Sequence, residues 1–354
     1  CDREGLALRS KHFTRARRSL LRALFLCVEL YAPRALHTRS RDTRIRQMIL
    51  AAGLTPAWQQ IVALDALRVG EVNRAREFHA TASGKVINVG LALHHLAAAS
   101  NTLAVVGGLN GDRIKAEFAG LGASATWIDS ATPTRICTTI LDRADGRATE
   151  LVENSKGIAS AEIQAFMAAF SMAASSADWI VASGSIPAGA PDDFYPQLMA
   201  RADGGFILDI SGPQLLGALA GSPFLVKPNR DELSHTLERD LSDDAALLNA
   251  MRHVNQLGAT WCVVTDGAGP VHATSHDGAF RFQSLEIDTP VNPIGCGDCF
   301  AAGIAFGLQA GRGPVDSIQM GIAAASQNLE HLLPARLTRE TVLTRAAHVI
   351  VEAV

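Results

Sequence analysis

The densest chemistry in this chain lies near its end, in "TPVNPIGCGDCFAAGIAFGL", residues 289–308. At the centre of that stretch, Gly295-Cys296-Gly297-Asp298-Cys299 supports two incompatible chemistries. The Cys-x-x-Cys pair has the spacing of a redox dithiol or of half a metal site. The Gly-x-Gly-Asp run, followed by small apolar residues, instead places successive backbone amides at a helix start. Two glycines let the chain turn tightly and approach a ligand, and the unpaired N–H groups carry partial positive charge. Such a nest suits a phosphoryl group in transfer, with the amides of Gly295, Cys296 and Gly297 as donors. Asp298 beside them is placed to accept a proton from an attacking hydroxyl. From this stretch alone, Asp298 reads equally as a helix-capping residue.

Three further segments bear on the choice. In "VKPNRDEL", Asn229 and Glu232 stand three apart, so their oxygens share one helical face and suit a hydrated Mg²⁺ held through water. Asn229 also suits a plain helix cap. "VVTDGAGP" (263–270) is a glycine-bearing strand end, open to close passage of a nucleotide. "ASGKVINVGLALHHL" (82–96) puts Gly84 and Lys85 at another helix start, a second anion site. Neither a Gly-x-x-x-x-Gly-Lys-Ser/Thr loop nor a Gly-x-Gly-x-x-Gly fingerprint occurs. The six cysteines (1, 27, 137, 262, 296, 299) are scattered, with no second Cys-x-x-Cys and no His at zinc spacing. They form no disulfide framework, and a reducing cytoplasm is the expected setting.

These groups need elements to hold them. From Met48 onward, short β-branched runs alternate with Ala/Leu-rich stretches, the pattern of a parallel sheet covered on both faces. Residues 101–109, 177–184, 204–211, 222–229 and 259–267 read as buried strands, and 277–287 as a late one. Val86–Ala99, Arg113–Leu121, Ser160–Ser175, Asp243–Leu257 and Phe300–Ala310 read as helices. In such a sheet ligands bind at the carboxyl ends of the strands. Two more polar stretches, 61–81 and 133–153, read as antiparallel strands, with Asp145-Gly146 as a hairpin turn. They predict a small sheet projecting from the main body as a lid.

The chain has 354 residues and a net charge of −3, but the charge is uneven. Residues 1–47 carry 12 Lys/Arg against 4 Asp/Glu, and residues 48–354 carry 20 against 31. An acidic body argues against nucleic acid as a partner. The basic leader has an apolar stretch, Leu20–Ala32, broken by Arg22 and Glu29 and too short to span a membrane. The expectation is that residues 1–47 stand outside the fold and that "MILAAGLTPAWQQIV", from Met48, runs into the first strand.

Taken in order, these segments resemble the phosphofructokinase B family of the ribokinase superfamily, in particular its 1-phosphofructokinase and tagatose-6-phosphate kinase branch. The resemblance runs from about Leu54 to the end of the chain. It is carried by "GEVNRA" (70–75), "SGKVINVG", "VGGLNGD", "PTRICTTILD", "ASGSIPAGAPDDFY" (182–195), "VKPNRDEL" and "NPIGCGDCFAAGIAFG". It implies a ribokinase-like three-layer α/β/α domain, with a mostly parallel central sheet and a small β-sheet lid. It also implies an ATP- and Mg²⁺-dependent kinase acting on a hydroxyl of a sugar phosphate, with fructose 1-phosphate first. Tagatose 6-phosphate follows, then an unphosphorylated sugar or a nucleoside; a sugar-phosphate sensor that has lost catalysis is the alternative of another class.

By the same resemblance Asp298 is the catalytic base and the amides of Gly295–Asp298 form the anion hole. Gly84, Lys85 and Asn88 lie in the sugar-phosphate site, with Arg135 nearby from the lid. Asn229 and Glu232 order Mg²⁺ and the ATP phosphates, while Thr265, Gly267, Gly269 and Asn328 belong to the nucleotide side. A homodimer through the lid strands is implied as well. Three positions depart from the family pattern: Gln59 stands where an Asp usually holds sugar hydroxyls, Val86 where a glycine follows the motif lysine, and Pro293 where Thr is usual. The departures fall mainly on the sugar half. Against this background Cys296 and Cys299 read as small fillers, with a helix N-terminus lowering the Cys296 thiol pKa.

Overall fold

The computed structural model describes residues 48–354; the expectations for the basic leader fall outside the described residues. Ten strands form the main sheet, in the order β14-β13-β12-β11-β10-β9-β8-β1-β4-β5. Parallel pairing runs from β5 (Ala125–Ser130) through β4 (Ser100–Gly107), β1 (Met48–Gly53), β8 (Ala177–Ser183), β9 (Gly205–Asp209) and β10 (Leu225–Val226) to β11 (Trp261–Val264). β12 (Val271–Thr274), β13 (Ala279–Phe282) and β14 (Val351–Ala353) extend it as an antiparallel edge.

Strand periodicity divides the apolar residues between two cores. Along β1, Ile49 and Ala51 enter one hydrophobic cluster while Leu50 and Ala52 enter the other. The first is completed by α1 (Lys85–His95), α8 (Cys296–Gln309), α9 (Pro314–Leu329) and α10 (Arg339–Ala346). The second takes α3 (Ser160–Ala174), α4 (Phe194–Met199), α5 (Gly212–Leu219), α6 (Arg230–Leu237) and α7 (Asp244–Leu257). The remaining helix, α2 (Gly108–Leu121), sends Ile114 and Phe118 into the first cluster. This is the expected ribokinase-like three-layer arrangement.

The lid is a separate sheet in the order β3-β2-β6-β7. β2 (Ala57–Leu64) pairs antiparallel with β3 (Glu77–Ser83) and parallel with β6 (Arg135–Asp142), and β7 (Arg147–Val152) closes a hairpin on β6. Its two faces follow from the register. Gln59, Cys137 and Val152 lie across from one another on one face, and Phe78, Val62, Ile140 and Thr149 on the other.

Several boundaries differ from expectation for local reasons. The first lid strand starts at Ala57, directly after Pro56, rather than at residue 61. α2 starts at Gly108, inside the segment read as strand, because Gly108 takes a positive φ that ends β4. β10 shrinks to two residues between Pro223 and Pro228, which lack the N–H a ladder needs. Among the described residues no helix is long and apolar enough to cross a membrane.

Candidate active site

Asp298 lies in the first turn of α8, and Gly295 caps that helix with φ 82°. A Cβ at Gly295 would stand 2.9 Å from Pro334 Cβ, so a side chain there is excluded by conformation and by space. Asn328, fully buried, fixes the loop from behind: its Nδ2 donates to the Ile294 carbonyl at 2.8 Å and to Cys296 Sγ at 3.2 Å. The result is an amide-rich turn facing a cavity of about 870 Å³.

The second helix start meets the first at this cavity. Gly84, with φ 94°, turns β3 into α1, and a Cβ there would come within 2.9 Å of Pro56 Cα and of the Ala57 nitrogen. α1 then presents Lys85 to the cavity, and one turn on Asn88 Nδ2 donates to Asp298 Oδ2 at 2.7 Å.

The sheet supplies the charges beneath. Asp209 ends β9, 1% exposed, and its Oδ1 lies 3.2 Å from both Lys85 Nζ and Lys227 Nζ. Glu232 Oε1 stands 3.7 Å from the same Lys85 ammonium. Burial disfavours the Asp209 carboxylate, but the two lysines, Lys227 foremost, hold its pKa below the usual value. Burial likewise disfavours charge on Lys85, yet Asp209, Glu232 and Asp298 outweigh it and keep the ammonium protonated. Asp298 differs. Burial first and the Asp209 charge second push its pKa up to about 6, against the pull of Lys85, Asn88 and Lys227. A carboxylate poised there is ionised at neutral pH and still basic enough to take a proton.

Gln59, Gly84, Lys85, Asn88, Arg135, Asn229, Glu232, Thr265, Gly267, Gly295, Cys296, Gly297 and Asp298 all line the one cavity. Gly269 and Asn328 do not. The Gly269 N–H closes a turn onto the Asp266 carbonyl at 2.7 Å, and Asn328 serves the loop structurally. Asn229 and Glu232 form a reciprocal cap on α6: Glu232 N donates to Asn229 Oδ1 at 2.7 Å, and Asn229 N to Glu232 Oε2 at 2.8 Å. The helix cap read for Asn229 is thus present, and it leaves Glu232 Oε1 as the oxygen turned to Lys85. Among the described residues no cluster of three or more His, Cys, Asp or Glu could hold a metal by itself.

Other expectations change too. Burial pushes the Cys296 thiol up to about 11, the reverse of the lowering expected there at a helix N-terminus, and raises the Cys299 thiol well above its usual value. Val86 is 1% exposed in the core and does not line the cavity, so its departure from the family pattern does not touch the ligand space. Arg135 spends its two terminal nitrogens on the Thr55 and Glu153 carbonyls, at 3.2 and 3.3 Å. Asp209 and Lys227 were not singled out from the sequence, although a charged residue ending a buried apolar run, as in "FILD" and "FLVK", is a legible signal. Glu150 on the lid and the apolar wall of Val271, Leu285 and Ile322 were missed as well.

The family model described as pfkB family carbohydrate kinase matches residues 48–338. This chain belongs to the pfkB family of carbohydrate kinases. Its activity class is that of the family, an ATP-dependent sugar kinase. Among solved structures, a possible 1-phosphofructokinase from Thermotoga maritima matches this pfkB protein with a TM-score of 0.80 at 22% identity, over 87% of this chain and 99% of the other. Phosphofructokinase-2 from Escherichia coli in complex with fructose-6-phosphate matches at TM-score 0.76 and 22% identity, over 85% and 98%. Arabidopsis thaliana ribokinase complexed with ribose and ATP matches at TM-score 0.66 and 18% identity, over 84% and 98%. At these identities the likeness is one of fold.

Proposed function

We propose that this pfkB protein transfers the γ-phosphoryl group of ATP to a hydroxyl of a hexose phosphate, with fructose 1-phosphate, converted to fructose 1,6-bisphosphate, as the first candidate. The observation that carries this reading is Asp298: a buried carboxylate with its pKa near 6, hydrogen-bonded by Asn88, at the start of an amide-rich helix. Asp298 takes the proton of the acceptor hydroxyl. The oxygen forms its bond to the γ-phosphorus as the bond to the ADP oxygen breaks, and the amides of Gly295, Gly297 and Asp298 meet the charge on the phosphoryl oxygens. The Cys296 amide donates instead to the Pro293 carbonyl at 3.2 Å. Lys85 and Lys227 hold positive charge on the same side of the cavity.

Gln59, Gly84, Lys85, Asn88 and Arg135 form the acceptor side, beneath the lid. Thr265 and Gly267, with the apolar wall of Val271, Leu285 and Ile322, form the nucleotide side. Glu232 Oε1, free of the cap, suits Mg²⁺ held through water. When bound, that ion neutralises phosphate charge and orients the ATP tail. A lid closing over the site excludes water as a competing acceptor. The reading includes a cytoplasmic setting and a homodimer whose subunits meet through the outer lid face. There Phe78 and Leu151 are 58% and 57% exposed, beside half-buried Val62 and Ile140.

The deciding experiment is ATP consumption by the purified protein against a panel: fructose 1-phosphate, tagatose 6-phosphate, fructose 6-phosphate, free sugars and nucleosides. Turnover highest on a hexose phosphate supports the reading. Turnover only on an unphosphorylated acceptor moves the substrate class, and binding without turnover makes the protein a sensor.

A further inference from the structure

The segment Leu332–Arg336 touches both halves of the site. Toward the lid, Leu332 and Leu333 pack on a small cluster of Ile61, Ala63 and Leu141, which belong to β2 and β6. Arg336 Nη2 reaches the base of β3, donating to Thr81 Oγ1 at 3.2 Å and to Glu117 Oε1. Glu117 in turn is locked to the same strand. Its Oε1 accepts from Thr81 Oγ1 at 2.5 Å and its Oε2 from the Ala82 amide at 2.7 Å.

Toward the anion hole Leu332, Pro334 and Ala335 of the same segment make a second set of contacts. Pro334 packs on Gly295 closely enough to exclude a side chain there. The Ala335 amide donates to Asn328 Oδ1 at 2.7 Å, and Asn328 holds the Ile294 carbonyl. The Leu332 carbonyl accepts from Asn292 Nδ2 at 2.8 Å, and Asn292 Oδ1 accepts from the Ile294 amide at 3.0 Å. Of the Arg336 nitrogens only Nη2 is engaged in these bonds, Nη1 being buried without a partner. Displacing any bonded group of the segment would nonetheless leave a buried partner unpaired, so the bonded groups move as a unit.

We propose that Leu332–Arg336 couples the lid to the anion hole, with Arg336 as the positioning residue: filling the Gly295–Asp298 turn with the terminal phosphate of a nucleotide biases the lid, and the lid biases the turn. Arg336 touches neither substrate; it acts through Glu117 and Thr81 on one side and through Ala335 and Asn328 on the other. The coupling must be reciprocal, because two ligands that share one conformational equilibrium change each other's affinity by the same factor. It rests on the reading of Gly295–Asp298 as the seat of that phosphate.

The test is hydrogen exchange on β3, where the Ala82 amide reports directly on the Glu117 contact, with and without the Mg²⁺ complex of AMP-PNP. In the wild type the nucleotide should slow β3 exchange by about 5- to 150-fold, the usual span of such couplings. In Arg336→Met the response should fall to nearly none while the AMP-PNP Kd stays within about threefold, since Arg336 does not line the cavity. Arg336→Lys, which keeps the charge, should restore part of it; Glu117→Gln serves as the second variant if Arg336→Met does not fold. A variant that merely loosens the fold would speed β3 exchange equally in both states and leave their ratio unchanged, which would overturn the proposal. An equal response in wild type and Arg336→Met overturns it too, leaving the functional reading intact. Failure of the wild type to bind AMP-PNP overturns both.

Discussion

Asn88 Nδ2 donates to Asp298 Oδ2 at 2.7 Å, joining the start of α1 to the start of α8 across the cavity. The bond favours the ionised carboxylate and so opposes the burial and the Asp209 charge that together raise the Asp298 pKa to about 6. Below that pH the base is protonated and kcat/KM should fall about tenfold per pH unit. Asn88→Leu removes the donor, so its acid limb should lie at higher pH than in the wild type. A limb that stays in place would mean that Asn88 does not tune the base.

Asp209 acts in the opposite sense. Its charge is a cause of the raised Asp298 pKa, so Asp209→Asn should move the acid limb to lower pH. The same change leaves Lys227, 3% exposed, without its carboxylate, and a broken buried pair costs roughly 3–5 kcal/mol. Thermal denaturation should therefore show a clear loss of stability beside the shifted profile. A profile limb that moved upward would contradict the assignment of that limb to Asp298.

Gln59 is 3% exposed on the inner lid face and donates from Nε2 to Thr139 Oγ1 at 2.8 Å. Gln59→Asp removes this donor and adds a charge toward the acceptor. The ratio of kcat/KM between two sugar phosphates should change by about tenfold or more, because mismatched buried polar groups reject a ligand. Equal losses on every acceptor would assign Gln59 to strand support alone.

For the outer lid face, Phe78→Glu and Leu151→Glu should convert a dimer to a monomer in sedimentation experiments. Both side chains are more than half exposed in one chain, so its fold should keep its melting behaviour. A wild type that sediments as a monomer at micromolar concentration would rule out the interface.

What was legible beforehand follows the range of the interactions. The α8 start was readable because Gly295 and the small residues after it leave few alternatives to a tight turn into a packed helix. Seven strands of the main sheet were readable from their apolar runs, whereas β5, β12 and β14 were not. The Asp209–Lys85–Lys227 group was not, since it forms only when β9, β10 and the start of α1 converge. Nor was the parallel β2–β6 pairing, which joins segments about eighty residues apart with no turn between them to signal it. The Cys296 thiol misled for a related reason: the helix start is local and visible, whereas the burial that outweighs it is tertiary.

The central claim is that Asp298 is the base of an ATP-dependent phosphoryl transfer, and Asp298→Asn tests it most directly. The substitution keeps the shape and an acceptor oxygen for Asn88 but cannot take a proton. With the preferred acceptor and saturating MgATP, turnover should fall by ~10²–10⁴-fold while AMP-PNP affinity stays within a few-fold. Turnover near the wild-type rate would contradict the account.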